Sequence, residues 1–120
     1  MQIDTLKKVF KGDIENDTKT LSMYSHDASL FEVVPEVVVF PKDSFDVQAL
    51  VKFVSDQKKS SLNISLTARS AGTDMSGGPL NESIIMDTTR YLNKIISIDT
   101  EKGIVEPGCY YRDFETETLK

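Results

Sequence analysis

The sequence has no tryptophan, one cysteine and one histidine in its 120 residues. With only Cys109 and His26 to draw on, a disulfide framework and the usual zinc-ligand spacings are excluded. No stretch comes near the roughly 18 consecutive apolar residues that a membrane-spanning helix needs. The N-terminus, Met1-Gln2-Ile3-Asp4, lacks the basic-then-apolar pattern of a secretory signal. That reads as a cytoplasmic protein, with a membrane-peripheral place left open for a longer parent. Positive charge is also short: 14 Lys and Arg against 19 Asp and Glu leave a net charge of -5, too acidic to suggest nucleic acid as a partner. Internal repeats and low-complexity tracts are missing too. A chain of this size forms one domain at most, with a modest core.

What the sequence does contain is a run of small residues, Ala68-Arg69-Ser70-Ala71-Gly72-Thr73-Asp74-Met75-Ser76-Gly77-Gly78-Pro79-Leu80, set between two short apolar segments. Its glycines let the backbone bend through positive φ and turn several N–H groups onto one anion without Cβ obstruction. The guest this pattern suggests is a dinucleotide pyrophosphate. It is not a Walker A loop, because Gly72 and Gly77 have the right interval but are followed by Gly78 and Pro79 instead of Lys and Ser/Thr. Nor is it the Rossmann fingerprint, which opens straight into a helix, whereas this loop runs through Pro79 into Ser83-Ile84-Ile85-Met86-Asp87, a strand pattern. The anion is therefore expected on loop amides, without a helix N-terminus.

Around the loop the pattern is α/β. Ile3, Leu6, Val9 and Phe10 fall at helical intervals, with Gly12 as a stop, while residues 13 to 35 show no clean period and read as irregular. Glu36-Val37-Val38-Val39-Phe40, closed by Pro41, predicts a strand buried on both faces of a parallel sheet. A helix follows, capped by Ser44, with Val47, Leu50, Val51 and Val54 as its apolar stripe and Lys58 and Lys59 near its end. Asn63 to Thr67 is the next strand, completing a β-α-β unit with the glycine loop at its carboxyl end, where open α/β sheets bind ligands. Further strands are predicted over 83–87 and 94–99, the latter paired through the turn Thr100-Glu101-Lys102-Gly103 with Ile104-Val105-Glu106. A helix with Tyr111, Phe114 and Leu119 as apolar positions closes the chain. The expected class is thus α/β, becoming α+β at the C-terminal end.

Taken together, Pro35-x-x-Val38-Val39-x-Pro41, Asp46-Val47, the loop Arg69-Ser70-Ala71-Gly72-Thr73 with Ser76-Gly77-Gly78, Asp87, Ile98-Asp99 and Val105-x-Pro107-Gly108 resemble the N-terminal part of the FAD-binding domain of the p-cresol methylhydroxylase and vanillyl-alcohol oxidase type. The wording is most similar to FAD/FMN-containing dehydrogenases such as the flavin-carrying component of glycolate oxidase and the D-lactate dehydrogenases. The resemblance implies FAD lodged between two α/β subdomains and a separate cap domain that shapes the substrate pocket. Residues 1–34 are then an N-terminal helix and irregular lead-in, and 35–120 the first subdomain with the first antiparallel hairpin of the second, an incomplete FAD-binding domain.

Carried over by residue, the resemblance implies FAD contacts from Arg69, Ser70, Ala71, Gly72, Thr73 and Asp74, with Ser76, Gly77 and Gly78 completing the wrap. It also puts Pro107 and Gly108 near the flavin or its ribityl chain and Pro41 near the adenosine. Members that tether FAD covalently through this loop carry His where this chain has Thr73, so FAD is expected to be non-covalent. The implied chemistry is oxidation of a 2-hydroxy acid or similar alcohol by hydride transfer to flavin, the small-molecule substrate being bound by segments outside this chain. No catalytic residue and no metal ligand is expected within it. A non-redox nucleotide or phosphate-ligand module is the competing reading. Arg69 reads equally as a surface cation, and Asp74, beside a pyrophosphate, should offer its amide and turn its carboxylate aside or cap a turn. His26 reads as solvated and Cys109 as a small buried hydrophobe. The stretch Tyr24-Ser25-x-Asp27-x-Ser29 resembles a family segment lining the domain near the flavin. Weak FAD affinity and self-association through an exposed sheet edge are expected of the chain alone.

Overall fold

The computed structural model describes residues 2–60 and 63–120. In chain order the elements are α1 (Ile3–Val9), β1 (Asp13–Glu15), α2 (Thr18–Met23), β2 (Val37–Phe40), α3 (Ser44–Lys58), β3 (Leu66–Arg69), β4 (Ile84–Asp87), β5 (Ile95–Ile98), β6 (Gly103–Val105) and α4 (Tyr111–Thr118). They build a mixed α/β structure of two sheets. The larger has strand order β1-β2-β4-β3, and the smaller is the antiparallel ribbon β5-β6. β2, β4 and β3 run parallel, while β1 lies antiparallel on the outer edge of β2.

β2 forms because four consecutive β-branched or aromatic residues, all buried, can be covered on both sheet faces. Its alternation splits the core in two. Val37 and Val39 face a cluster with Leu6 and Phe10 from the N-terminal helix region, Leu50, Phe53 and Val54 from α3, and Ile84 and Met86 from β4. Val38, Phe40 and Ile85 face the other way, under Leu21, Tyr24 and Tyr91. Each fully buried aliphatic side chain contributes about 1.5–3 kcal/mol, so the central strands are the most strongly held part of the fold.

The structure corrects several local expectations. Asp43, not Ser44, caps α3: its carboxylate accepts from the Asp46 N–H at 2.9 Å, and an ionised acceptor at a helix start outcompetes a hydroxyl. The core stripe of α3 includes Phe53, while Val51 is 52% exposed. Residues 13–35 are also more regular than their composition implies. β1 exists because β2 presents a free edge, and α2 starts where Asp17 accepts from the Thr20 N–H at 3.0 Å. Tyr111 and Leu119 are exposed, leaving Phe114 as the residue of α4 that packs on the ribbon, against Gly103.

β1 is pinned from outside by Arg90, whose Nη1 donates to Asp13 at 3.1 Å and Glu15 at 2.6 Å. The Tyr91 hydroxyl also donates to Asp13. That bond is the main reason the Asp13 carboxyl sits below its ordinary 3.8, with burial opposing and Arg90 adding to the depression. A depressed folded-state pKa stabilises above the unfolded value and is lost as pH falls through the folded value. The urea midpoint should therefore drop as pH is lowered below 3.8, and Tyr91→Phe should show a shallower drop over the same range. Identical acid slopes for the two proteins would refute this.

Candidate functional site

Because β2, β4 and β3 are parallel, their carboxyl ends meet on one edge of the sheet. Arg69 of β3 pairs in register with Asp87 of β4, so the glycine run leaves the sheet beside the buried end of β4. The Thr88 N–H and hydroxyl donate to the Arg69 carbonyl at 3.0 and 3.3 Å, which fixes the loop's first peptide.

Within the loop, Gly72 has φ 67° and Gly77 φ 82°, the two positive-φ residues of the described chain. Such a backbone costs a residue with a Cβ about 1–2 kcal/mol. Space is equally tight. A Cβ on Gly72 would stand 2.4 Å from the Arg69 guanidinium, and one on Gly78 would stand 2.5 Å from Asp74 Oδ2. Among the described residues, the backbone N–H groups of Ala71, Gly72 and Thr73 have no acceptor in the protein. Consecutive unpaired amides around a left-handed glycine can cradle an anion. They line a hollow of about 360 Å³ with Arg69, Ser70, Asp74, Gly78 and Pro79.

Arg69 is neither a free surface cation nor a charge reaching into solvent. Its guanidinium lies 5.0 Å from the centre of the Tyr24 ring, and Nη1 donates to the Tyr24 carbonyl at 3.3 Å. Tyr24 itself stands edge-on to Phe40 at 6.0 Å and donates its hydroxyl to Asp87. Burial first, then that hydrogen bond and the Asp87 charge, hold the Tyr24 phenol protonated well above its ordinary range. Asp87 also accepts from the Thr89 N–H and hydroxyl, each at 2.6 Å. A second cation, Arg90, sits 3.4 Å over the Phe40 ring.

The structure brings Arg69, Ser70, Ala71, Gly72, Thr73, Asp74 and Gly78 to one hollow. Ser76 and Gly77 complete the same loop, but the Gly77 N–H is taken by Asp27 Oδ2 at 3.0 Å. The Asp74 carbonyl accepts from Ala28 at 2.9 Å, and its carboxylate folds against Gly78. Pro41 is buried where β2 ends. Pro107 lines a different hollow of about 650 Å³ with Lys42, Ser44 and Leu92. Gly108 is buried, and a Cβ there would stand 2.0 Å from the Thr88 carbonyl oxygen. That packing joins the ribbon to the larger sheet, assisted by the Gly108 N–H donating to Leu92 O at 2.7 Å.

The opposite wall of the site carries no signal in the sequence. Tyr110, Tyr111 and Asp113 at the start of α4 face Ala71 and Thr73 across a hollow of about 690 Å³, so the loop forms one wall of a larger cleft. His26 is exposed, 3.6 Å from Glu32. Cys109 is half-buried, with Sγ 3.6 Å from the Tyr110 carbonyl. Among the described residues, no cluster of three or more His, Cys, Asp or Glu is placed to hold a metal ion. No described helix is long and apolar enough to cross a membrane.

Residues 35–120 match the FAD binding domain family. The chain is similar to D-2-hydroxyglutarate dehydrogenase of Escherichia coli (strain K12), 35% identical over 96 residues that make up 80% of this chain and 9% of that protein. Its counterpart in Pantoea ananatis is 34% identical over 101 residues, covering 83% of this chain and 10% of the relative. The chain thus spans about a tenth of the length of these curated relatives. Among solved structures, 4-ethylphenol oxidase from Gulosibacter chungangensis superposes with a TM-score of 0.79 at 20% identity, over 98% of this chain and 23% of that one. p-Cresol methylhydroxylase with substrate bound superposes at 0.75 and 23% identity, over 98% and 24%. These two likenesses concern the fold.

Proposed function

The chain belongs to the FAD-binding domain family, and on that premise we propose that it is the FAD-holding part of a flavin-dependent oxidoreductase acting on a 2-hydroxy acid or related alcohol. The observation that carries this reading is the run of unpaired amides at Ala71, Gly72 and Thr73 around a left-handed glycine, at the carboxyl edge of a parallel sheet. That cradle suits a pyrophosphate: amides bonded to a charged oxygen are charge-assisted, roughly twice as strong as neutral pairs. Ser70, Gly78 and the hydroxyls of Thr73 and Ser76 complete the donor set. Thr73 offers the loop a hydroxyl and not an imidazole, and on that ground the cofactor is held non-covalently by this loop. The cleft between the loop and α4 leaves room for the rest of the cofactor beyond its phosphates.

Bound flavin supplies the two-electron redox chemistry, while the protein contributes position and electrostatics. The residues of this chain bind and orient; groups that move protons on the substrate lie outside it. Residues 1–34 are part of the binding unit, giving Leu6 and Phe10 to its core and β1 to its sheet, and the protein works in the cytoplasm. The dehydrogenase relatives act, by their names, on D-2-hydroxyglutarate, which motivates the 2-hydroxy acid as substrate class.

Titrating the chain with FAD and following flavin fluorescence tests the reading against a nucleotide-binding module without redox chemistry. Quenching should saturate, with ATP needing at least about tenfold higher concentration to displace the flavin, a difference of about 1.4 kcal/mol. ATP binding as well as FAD would overturn the assignment.

A further inference from the structure

The family match begins at residue 35, yet the glycine loop is held by residues that precede it. We propose that the segment 24–31 is a clamp that sets both left-handed turns of the phosphate loop, with Asp27 and Tyr24 as positioning residues. This rests on the functional reading above only where cofactor affinity is concerned; the clamp itself is a property of the chain alone.

Two independent contacts carry it, one at each glycine. At Gly77, Asp27 Oδ2 accepts the backbone N–H at 3.0 Å, and the Phe31 ring lies 3.0 Å from where a Cβ would stand. At Gly72, the Arg69 guanidinium fills the place of the missing side chain while resting on the Tyr24 ring and bonding its carbonyl. Between them the Ala28 N–H donates to the Asp74 carbonyl at 2.9 Å. The loop is thus fastened to the same short segment at both ends and in the middle.

The segment is itself rigidly based. Ser25 is buried, its carbonyl accepts from Val33 at 3.0 Å, and its hydroxyl donates to the Ser22 carbonyl at 2.7 Å. Asp27 Oδ1 takes the Ser29 N–H at 2.8 Å, which leaves Oδ2 aimed at Gly77. Burial pushes the Asp27 carboxyl up, but the bonds from Ser29 and Gly77 outweigh it and keep it below 3.8, so it is an anion at neutral pH. An anion placed beside a phosphate loop would repel the ligand if it faced the hollow. Its charge is instead directed to the amides of Ser29 and Gly77, behind the loop. The clamp also explains why Arg69, the one cation of the loop, is of use without touching phosphate: its planar face spans Tyr24 and Gly72, which a lysine cannot do.

The experiment uses the full 120-residue chain and two readouts, amide hydrogen exchange by NMR and FAD titration. Asp27→Ala should speed exchange at Gly77 by about tenfold or more, the worth of a hydrogen bond to a charged acceptor, with the Ile85 amide in the core unchanged. Asp27→Asn keeps an acceptor oxygen and should restore most of the protection. Arg69→Lys should weaken FAD binding as much as Arg69→Ala, whereas a point-charge contact with phosphate would let lysine substitute. Unchanged Gly77 exchange in Asp27→Ala, an equal acceleration at Ile85, or full FAD affinity in Arg69→Lys would overturn the clamp. Absence of FAD binding by the wild-type chain would sink the functional reading, and the exchange rates would still decide the clamp.

Discussion

Gly72→Ala should lower FAD affinity by about a hundredfold while the chain keeps its fold. The backbone at φ 67° costs an alanine about 1–2 kcal/mol, and relief of that strain turns the neighbouring amides away from the phosphate, each lost charge-assisted bond being worth about 1.5–3 kcal/mol. The core is not touched directly, because the atoms nearest the new Cβ belong to the Arg69 guanidinium, at 2.4 Å, which must shift on the Tyr24 ring. The far-UV circular dichroism spectrum should therefore match that of the wild type, the melt should fall by only the few degrees that about 1–2 kcal/mol implies, and the main loss should appear in the FAD titration. Wild-type affinity in this variant would mean the phosphates are held by some other segment.

Asp87→Ala should be strongly destabilising. Asp87 is 4% exposed, and its carboxylate accepts from the Tyr24 hydroxyl, the Thr89 N–H and the Thr89 hydroxyl. Removing it strands these donors at the carboxyl end of β4, at about 1–3 kcal/mol for each buried unsatisfied group. With Thr89 partly open to water, a net loss of about 3 kcal/mol is expected, lowering the melting temperature by roughly 10 °C. Asp87→Asn retains one acceptor oxygen and should recover part of this. A melting temperature within a degree or two of wild type, on the order of measurement error, would show that the Tyr24 and Thr89 groups find other partners. The same variant should loosen the loop, since Tyr24 is what Arg69 rests on.

Much of the fold was legible because burial leaves a one-dimensional trace. Val37 to Phe40 and Ile84 to Asp87 are continuous buried runs, and such runs belong to strands covered on both faces. The hairpin was readable in place but not in chemistry: Asp99, outside the four residues read as the turn, accepts the N–H groups of Glu101 and Lys102 at 2.8 and 2.9 Å, and Gly103 has no positive φ and already belongs to β6. Where the cause was non-local, the trace failed. β1 carries Ile14 as its one apolar residue, and it is a strand because β2 needs a partner on its open edge. The insertion of β4 between β2 and β3 was equally hidden, since the β-α-β pattern specifies direction without specifying which strands are neighbours.

The candidate site divides along the same line. A cluster of small residues and glycines suggests a tight anion-binding loop when strands flank it, because residues without bulky side chains let successive amides converge. The position of that loop at a sheet edge followed from the alternation of strand and helix. Only the folded chain decided what holds it: Asp27 and Gly77 are 50 residues apart, and Arg69 and Tyr24 are 45 apart. Local pattern therefore determined the central strands and α3 and suggested the kind of ligand, because it records how each residue partitions between water and core. Tertiary structure alone decided the clamp and the cleft facing α4, because hydrogen bonds and ring contacts between distant segments depend on where packing delivers them.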